Sequence, residues 1–178
     1  MARFMVGVKA VKFNYEWQSE DEAGELRAFV DSDWAGCVQA RRSTSGGVVK
    51  LGRHTLKTWS ITQPTIAMSS AEAELCAMTE GATRGMGLRT MLDEMGVHIE
   101  TLHLYTDLSA AKSFASRSGL GKIRHIEVKE LWLQAALKEA KVKLHKVDGE
   151  MNPADLLTKY MDLGRLRRLS GLLGLQVF

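Results

Sequence analysis

The sequence predicts a mixed α/β fold in one domain. Three strand-like runs come before the first long helical run, and strand-like and helical runs alternate after it. The 178 residues, 45% of them hydrophobic and 25% charged, match the size and composition of a globular domain with its own core. We therefore expect a sheet flanked by helices.

The predicted sheet begins with three strands in residues 25–62. The runs are "ELRAFVDSD", "GGVVKLG" and "HTLKTWSIT". The short Gly52-Arg53 link joins the end of the second run to the third. Short links join antiparallel neighbours, so these strands should form an antiparallel meander. Residues 1–25 show no pattern that assigns them a fold.

The first long helix is predicted from residue 69, in "SSAEAELCAMTEGATRGMGLRTMLDEMG". The composition favours a helix, Ser69 and Glu72 have the spacing of a capping box, and Gly96 is a natural stop. The run also contains glycines at positions 81, 85 and 87. They either weaken the helix or let it approach another element closely.

The second half of the chain alternates between strands and helices. The predicted strands are "TLHLYTD" and "VKLHKVD", and the predicted helices are "LSAAKSFASR" and "HIEVKELWLQAALKEAK". The two helices are separated by "SGLGK", a basic loop that contains glycine. A last helix is predicted to open at "NPADLLTKYM", where Asn152 suits the N-cap and Pro153 the first helical position.

Acidic residues recur where these predicted elements end or begin. They are Asp31 or Asp33, Glu72 or Glu74, Asp107 and Asp155. Asp31 and Asp107 both close strands, and they would converge if those strands are adjacent and parallel, because ligand sites lie outside the carboxyl ends of such strands. Carboxylate oxygens without a cysteine or histidine cluster suit Mg²⁺ or Mn²⁺ better than zinc. The pattern therefore predicts a site for a divalent cation.

Composition narrows the class of protein further. No stretch approaches the ~20 apolar residues that a membrane-spanning helix needs, and the first residues lack the apolar core of a signal peptide. The two cysteines, Cys37 and Cys76, form no Cys-x-x-Cys pair, which favours reduced thiols. These features predict an intracellular protein, cytoplasmic or nuclear, without a membrane partner. The net charge of +3 is too small to identify a nucleic-acid binder by itself.

Five segments of the chain carry a family resemblance. They are "FVDSDWAGCVQARRSTSGGVVKLG", "TWSITQPTIAMSSAEAELCAMTE", "LYTDLSAAKSFA", "RHIEVKELWL" and "NPADLLTK". In this order they resemble the ribonuclease H domain of copia-type LTR retrotransposon polyproteins. The likeness covers residues 26–162, which leaves residues 1–25 as an N-terminal extension and residues 163–178 as a basic C-terminal tail or helix extension. It implies a ribonuclease H-like fold: a five-stranded mixed sheet, with three antiparallel strands and then parallel strands, flanked by helices.

The resemblance also implies an activity and a set of site residues. The activity is hydrolysis of the RNA strand of an RNA/DNA hybrid with two Mg²⁺ ions, for which Mn²⁺ can substitute. Carried over position by position, the catalytic residues and metal ligands are Asp31, Glu74, Asp107 and Asp155. Asp33 and Glu72 are expected to support them, Glu72 by capping its helix. The alternative, in which Asp33 is the metal ligand and Asp31 supports it, stays open.

Basic and hydroxyl side chains are the candidates for contacts to the nucleic acid. Phosphate contacts are predicted for Arg41, Arg42, Lys122, Arg124 and His125, and contacts near the RNA 2′-hydroxyl for Ser43 and Ser70. The competing interpretations are a solvated charged face for the basic residues and a structural hydrogen bond for His125. Trp34, Trp59 and Trp132 could stack on bases, but core packing is the commoner role of such residues.

One position departs from the wider ribonuclease H pattern. Cellular ribonucleases H carry a histidine in the loop before the last aspartate, whereas this loop reads "DGEMNP". The nearest histidine, His145, belongs to the preceding predicted strand, and Glu150 is the candidate substitute. Metal binding is predicted without this histidine, whereas turnover would depend on Glu150.

Other functions remain open. A non-catalytic domain that binds hybrids and keeps relic carboxylates would share this pattern, as would another nuclease or strand-transfer enzyme on the same fold. Asp-x-Asp at a strand end also occurs in metal-dependent nucleotide-sugar transferases, but these need a larger nucleotide-binding domain and leave the later acidic positions unexplained. The expected partners are an RNA/DNA hybrid and a reverse transcriptase domain of the same polyprotein.

Overall fold

The structure is a computed structural model that describes residues 10–37, 39–106 and 128–177. Its strands are, in chain order, β1 (Val11–Phe13), β2 (Leu26–Cys37), β3 (Arg42–Leu51), β4 (His54–Thr62), β5 (Leu102–Thr106), β6 (Val142–Lys146) and β7 (Leu175–Val177). Its helices are α1 (Glu20–Ala23), α2 (Ser70–Glu94), α3 (Val128–Lys138) and α4 (Leu163–Leu172), with 3₁₀ turns at Gly149–Met151 and Pro153–Leu157. The predicted short helix and basic loop in residues 108–122 lie outside the described residues. Within the described ranges, no helix combines the length and apolar composition needed to cross a membrane.

A five-stranded mixed sheet in the order β4-β3-β2-β5-β6 forms the centre of the fold. β3 is antiparallel to both β2 and β4, whereas β5 runs parallel to β2 and β6 parallel to β5. The predicted sheet, with three antiparallel strands and then parallel strands, is confirmed. The prediction that Asp31 closes its strand is wrong, because β2 continues to Cys37 in its pairing with β3. Phe29 on β2 pairs with Tyr105 on β5, so Asp31 lies just beyond the carboxyl end of β5.

Alternation along β2 sends its side chains into two different layers. Leu26, Ala28 and Val30 are fully buried in the cluster that includes residues of α2 and α3. Phe29 belongs to a second cluster, with Val48 and leucines of α4. Because Asp31 follows Phe29 by two residues, it faces the layer that contains α4.

Helix α2 lies directly on the sheet because two of its residues have no side chain. A Cβ at Gly81 would stand 2.3 Å from Val30 Cγ1, and one at Gly85 would stand 2.6 Å from Leu102 Cδ2. Gly81 and Gly85 therefore allow α2 to approach the sheet closely. A Cβ at Gly87 would have no atom within 4 Å, so this glycine has no such role.

The N-terminus of α2 has half of the predicted capping box. Ser69 Oγ accepts a hydrogen bond from Glu72 N at 3.2 Å. The Glu72 carboxylate accepts one from Met68 N at 2.7 Å, one residue before the donor that a capping box uses. At the other end the helix stops at Glu94, and Gly96 follows with φ of 84°, a left-handed value that glycine adopts without strain.

The final helix predicted to open at "NPADLLTKYM" is instead a short 3₁₀ turn, Pro153–Leu157, and a separate helix follows it. Asn152 does cap a helical turn, since its Oδ1 accepts a hydrogen bond at 3.2 Å from the backbone N–H two residues later, but the turn is the short 3₁₀ segment. The chain leaves the helical path there because Thr158 and Lys159 reach a carboxylate on β2. Helix α4 then begins after a separate N-cap, Asp162.

The segments on either side of residues 26–162 join each other and the sheet. β1 and β7 form a two-stranded antiparallel sheet, with Val11 opposite Val177. Tyr15 Oη donates a hydrogen bond to the Thr55 carbonyl oxygen at 2.9 Å, which ties the N-terminal segment to β4. Strands of three residues are too short to show a readable periodicity, so the sequence pattern did not reveal them.

Candidate active site

Asp31 lies in the middle of β2 and is enclosed by the C-terminal layer, with only 1% of its side chain exposed. Its Oδ1 accepts a hydrogen bond from Lys159 Nζ at 2.9 Å. Its Oδ2 accepts one from Thr158 Oγ1. Residues that follow the second 3₁₀ turn thus hold both oxygens of this carboxylate.

Asp155 lies within the second 3₁₀ turn, and its side chain is fully buried. Its Oδ1 accepts a hydrogen bond from Lys159 Nζ at 3.0 Å, and its Oδ2 accepts one from Arg165 Nη2 at 2.5 Å. Burial and, second to it, the charge of Asp31 raise the pKa of Asp155 to about 6, although Lys159 and Arg165 act to lower it. The negative charge of Asp31 is therefore close enough to disfavour the ionised form of Asp155.

Lys159 bridges the two carboxylates. Its side chain is 36% exposed, so its stem reaches into the site from the surface. Burial acts to lower the pKa of Lys159, but the hydrogen bonds and charges of Asp31 and Asp155 outweigh burial and raise that pKa. The ammonium group is therefore a cation seated between two buried anions.

Glu74 extends from α2 to the residue that follows Asp31, and only 3% of it is exposed. Its Oε1 accepts hydrogen bonds from Ser32 N at 3.0 Å and from Ser32 Oγ at 2.8 Å. Its Oε2 lies 3.5 Å from Thr106 Oγ1, at the end of β5. Neighbouring strand residues point to opposite faces, so Ser32 meets α2 while Asp31 meets the 3₁₀ turn.

Replacing Ser32 by alanine removes one of the two donors that hold Glu74 Oε1. A hydrogen bond to a charged group contributes about 1.5–3 kcal/mol, so we expect the free energy of unfolding, measured by urea denaturation, to fall by that amount. Ser70→Ala is the control, because Ser70 is exposed and its loss should change the free energy by no more than about 0.5 kcal/mol. Equal effects of the two substitutions would contradict the buried bond.

The described acidic residues fit a hard cation by their chemistry. Asp31, Asp155 and Glu74 offer carboxylate oxygens, which Mg²⁺ prefers, and the Lys159 ammonium group already lies between the first two. Asp107 directly follows β5 and lies outside the described residues. In the part of the chain that the structure describes, no three acidic, histidine or cysteine side chains are grouped closely enough to hold one ion. The described residues thus place Asp31 and Asp155 around one ammonium group, and Glu74 in contact with the neighbouring Ser32.

A glycine on β3 lets the second 3₁₀ turn approach the sheet next to this pair. Gly46 lies opposite Asp31 in the β2–β3 ladder. A Cβ at Gly46 would stand 2.6 Å from Thr158 Cγ2 and 2.9 Å from Leu157 Cβ. The missing side chain therefore sets how closely Thr158 and Lys159 approach Asp31.

Gly46→Ala is expected to lower the free energy of unfolding by about 1–3 kcal/mol, because its methyl group overlaps atoms of the turn. Gly87→Ala is the matched control: it lies on an exposed part of α2 with no atom near its Cβ, and it should raise the free energy by about 0.5–1 kcal/mol. Urea denaturation of both variants should give opposite signs. A neutral or stabilising Gly46→Ala would contradict the close packing at this point.

The end of β2 contains a bulge. Its register with β3 shifts between Asp33 and Cys37, and Ala35 has φ of 55°. The Asp33 carboxylate lies against Gly36, where a Cβ would stand 1.6 Å from Asp33 Oδ2. Ser43 is fully buried, and its Oγ accepts a hydrogen bond from Ala35 N at 3.1 Å. The Ser43 side chain thus stabilises the bulge and is not exposed to a ligand.

The other predicted nucleic-acid contacts fall into two groups. Arg41 and Arg42 are exposed where β2 turns into β3, and Ser70 is exposed at the start of α2. Lys122, Arg124 and His125 lie outside the described residues. The exposed arginines and serine are therefore the members of this set that the described surface presents to a ligand.

The tryptophans divide between the core and the surface. Trp59 is buried in the main core cluster, as the packing interpretation predicts. Trp34 and Trp132 are 51% and 40% exposed. Trp34 Nε1 donates a hydrogen bond to the Ala67 carbonyl oxygen at 3.1 Å, which fixes its indole beside the end of β2.

Sequence reasoning missed the basic and hydroxyl residues that compensate the carboxylates. Thr158, Lys159 and Arg165 each contact Asp31 or Asp155. The i,i+4 spacing of Asp155 and Lys159 was a usable signal, because residues at that spacing meet on one face of a helical turn. The contact from Lys159 to Asp31 joins residues 128 positions apart and had no local signal.

The loop that lacks the expected histidine is tied to α4. Glu150, the candidate substitute, forms ion pairs with Arg165 at 3.5 Å and with Arg168. His145 lies in β6, where its Nε2 is 2.9 Å from His103 Nδ1 on the neighbouring strand. Both side chains therefore have defined structural contacts.

Sequence comparison relates the chain to retrotransposon polyproteins. It is 28% identical over 151 residues to the retrovirus-related Pol polyprotein from transposon TNT 1-94 of Nicotiana tabacum, a match that covers 84% of this chain and 11% of that protein. It is 26% identical over 136 residues to the Pol polyprotein from transposon RE1 of Arabidopsis thaliana, covering 75% of this chain and 9% of that protein. The chain thus spans about a tenth of the length of these relatives. No protein-family model matches the chain.

Structure comparison relates the fold to solved ribonuclease H domains. The N-terminal RNase H domain of Rv2228c from Mycobacterium tuberculosis is 14% identical with a TM-score of 0.50, covering 83% of this chain and 96% of that one. LC11-RNase H1, isolated from compost and solved in complex with an RNA/DNA hybrid, is 17% identical with a TM-score of 0.50, covering 75% and 94%. The predicted resemblance is confirmed: the chain is a relative of copia-type retrotransposon Pol polyproteins and has the ribonuclease H-like fold.

Proposed function

We propose that this domain is a ribonuclease H, an endonuclease that hydrolyses the RNA strand of RNA/DNA hybrids. The observation that carries the proposal is the pair of buried carboxylates, Asp31 and Asp155, that meet around a cation. Burying two anions side by side is costly unless a cation compensates them, so such a pair is typical of a cation-binding site. The hybrid complex of LC11-RNase H1, which shares the fold, supports the choice of substrate.

The proposed metal ligands are the four acidic residues of the family pattern. Asp31, Glu74, Asp107 and Asp155 would hold two divalent cations, Mg²⁺ or in its place Mn²⁺. When bound, such ions activate a water and stabilise the leaving oxygen of an in-line displacement at phosphorus. The chain contributes the oxygen ligands and the charge that attracts the ions.

Other residues of the chain keep these ligands in position. Ser32 fixes one oxygen of Glu74 through two hydrogen bonds. Arg165 holds Asp155 Oδ2, and Thr158 holds Asp31 Oδ2. These contacts restrict the rotation of the carboxylates, so the remaining oxygens are oriented before substrate arrives.

The exposed arginines at the β2–β3 turn are proposed to contact the phosphates of the hybrid. Arg42→Ala should weaken hybrid binding and reduce the slope of log K against log salt by about 1, as expected for the loss of one phosphate contact. Fluorescence anisotropy with labelled hybrid at several salt concentrations measures this slope. Lys57→Ala, which removes an exposed charge from β4, is the control and should leave the slope unchanged. Equal slopes for all three proteins would exclude Arg42 from the interface.

The experiment that tests the proposed function is a cleavage assay with end-labelled substrates. RNA/DNA hybrid, single-stranded RNA, double-stranded RNA and duplex DNA are each incubated with the protein in Mg²⁺, in Mn²⁺ and in EDTA. We expect cutting of the hybrid's RNA strand alone, its loss in EDTA, and its loss in Asp107→Asn. Cutting of duplex DNA at a similar rate would instead identify another nuclease on this fold.

A non-catalytic hybrid-binding domain is the second candidate, and one observation favours it. Lys159 and Arg165 compensate Asp31 and Asp155 from within the chain, so the carboxylate pair is electrostatically balanced without a metal. Folded protein that binds the hybrid but cleaves no substrate in either metal would establish this alternative. In both cases we propose that the domain acts beside a reverse transcriptase domain of the same polyprotein, since the relatives are Pol polyproteins about ten times its length.

A further inference from the structure

The cation between Asp31 and Asp155 is the ammonium group of Lys159, a side chain that is partly exposed at the surface. Lys159 Nζ lies 2.9 Å from Asp31 Oδ1 and 3.0 Å from Asp155 Oδ1. The Asp31 and Asp155 side chains are 1% and 0% exposed, whereas that of Lys159 is 36% exposed. The acceptors are thus fixed inside the protein, whereas the donor belongs to a side chain that reaches the surface.

The four oxygens of the pair have divided roles. The two Oδ1 atoms face the same ammonium group, while Thr158 holds Oδ2 of Asp31 and Arg165 holds Oδ2 of Asp155. If Lys159 left, both carboxylates would keep one protein contact and therefore their orientation. The two Oδ1 atoms would then be the oxygens available to another cation.

A divalent cation and the ammonium group cannot share these two oxygens. Like charges repel strongly at separations of ~4 Å in a partly buried site, and a divalent ion repels the ammonium group twice as strongly as a monovalent ion does. Lys159 and Arg165 together match the two negative charges of the carboxylate pair. A divalent cation would place twice the charge of the ammonium group at the two Oδ1 atoms, which gives it an electrostatic advantage over the lysine.

We propose that Lys159 is a built-in counter-ion: it occupies the seat of a divalent cation in the metal-free protein, and metal binding displaces it from Asp31 and Asp155. The inference rests on the proposed function only in placing a metal at these two carboxylates. Together with Arg165, the lysine compensates the two buried charges of the metal-free fold. It also weakens metal binding, because the metal has to break the ion pairs of Lys159 with Asp31 and Asp155 before it binds.

Titration calorimetry with Mn²⁺ and Mg²⁺, without nucleic acid, tests the competition. Lys159→Met removes the charge and keeps an apolar stem, so it should bind Mn²⁺ at least about tenfold more tightly than the wild type. Lys159→Arg keeps the charge and should bind no more tightly than the wild type. Lys57→Met, a change on the exposed face of β4, should leave the affinity unchanged. Equal or weaker Mn²⁺ binding by Lys159→Met would overturn the inference.

Thermal unfolding of the same proteins gives an independent readout. In EDTA the melting temperature of Lys159→Met should fall by about 5 °C or more, since removal of one partner leaves buried charges without compensation. Saturating Mn²⁺ should restore most of that loss, and it should stabilise the variant more than the wild type. A variant that is as stable as the wild type in EDTA would contradict the counter-ion role.

The wild-type protein tests displacement directly, even if Lys159→Met fails to fold. Brief acetylation followed by mass spectrometry measures how reactive each lysine is. Acetylation of Lys159 should increase several-fold at saturating Mn²⁺, while that of Lys57 stays constant. Unchanged reactivity of Lys159, or no Mn²⁺ binding by any of the proteins, would overturn the inference. Metal binding and lysine displacement without cleavage of hybrid would overturn the proposed catalytic function alone.

Discussion

Glu74→Gln is expected to lower the rate of hybrid cleavage at least about 100-fold, because it removes a negative charge from the proposed metal site. Glutamine has nearly the same shape, and its carbonyl oxygen can still accept the hydrogen bonds from Ser32 N and Oγ. The fold should therefore survive the substitution. The measurement is the single-turnover rate on end-labelled RNA/DNA hybrid at saturating Mg²⁺.

Glu72→Gln is the matched control for this experiment. Glu72 lies two residues before Glu74 on the same helix, and its carboxylate accepts a hydrogen bond from Met68 N at the helix start. A glutamine there keeps an acceptor, so its cleavage rate should stay within about twofold of the wild type. Melting curves of both variants show whether a loss of rate reflects unfolding. A Glu74→Gln protein that cleaves at the wild-type rate would remove Glu74 from the proposed metal site.

Leu104→Ala is expected to lower the free energy of unfolding by about 2–5 kcal/mol, the range for a leucine truncated inside a core. Leu104 lies on β5, an interior strand between β2 and β6, and is fully buried. A Cβ at Gly81 would stand 3.3 Å from Leu104 Cδ1, so the leucine fills the space where α2 lies closest to the sheet. Neither neighbour can move inward to close the cavity without breaking the β-ladder or the helix. Urea denaturation monitored by circular dichroism gives the free energy.

Leu56→Ala is the control for this loss. Leu56 is 40% exposed on β4, and truncating it removes much less buried surface. We expect a change of no more than about 1 kcal/mol for this variant. Similar losses for Leu56→Ala and Leu104→Ala would show that the layer between β5 and α2 is not the main core.

The regular elements could be predicted because their patterns are local. The run "HTLKTWSIT" became β4 with the same bounds, His54–Thr62, because it is rich in threonine, tryptophan and isoleucine, which favour strands. Helix α2 follows from its composition and its Ser69 cap. The extent of the last helix could not be predicted in this way, since the contacts of Thr158 and Lys159 with Asp31 decide where the chain turns.

The candidate site was predictable in its acidic residues and not in its basic ones. Asp31 and Asp155 could be named from the family pattern, and the structure brings them together around one ammonium group. The pattern does not specify what compensates a buried charge, because the partner can come from any element that packs nearby. Arg165 reaches Asp155 from α4, in the segment for which the sequence predicts only a basic tail or helix extension.

The pairing of β1 with β7 determines how the domain responds to a pulling force. Val11 and Val177 form the outermost pair of this ladder. A force that pulls the chain before Val11 away from the chain after Val177 acts at one end of this antiparallel ladder. It therefore breaks the pairs one after another and does not load them all at once in shear. The small sheet should therefore yield first, at low force, while the long ladder between β2 and β3 still resists. Early mechanical unfolding would then be confined to the terminal strands, with Asp31 and Asp155 still held together.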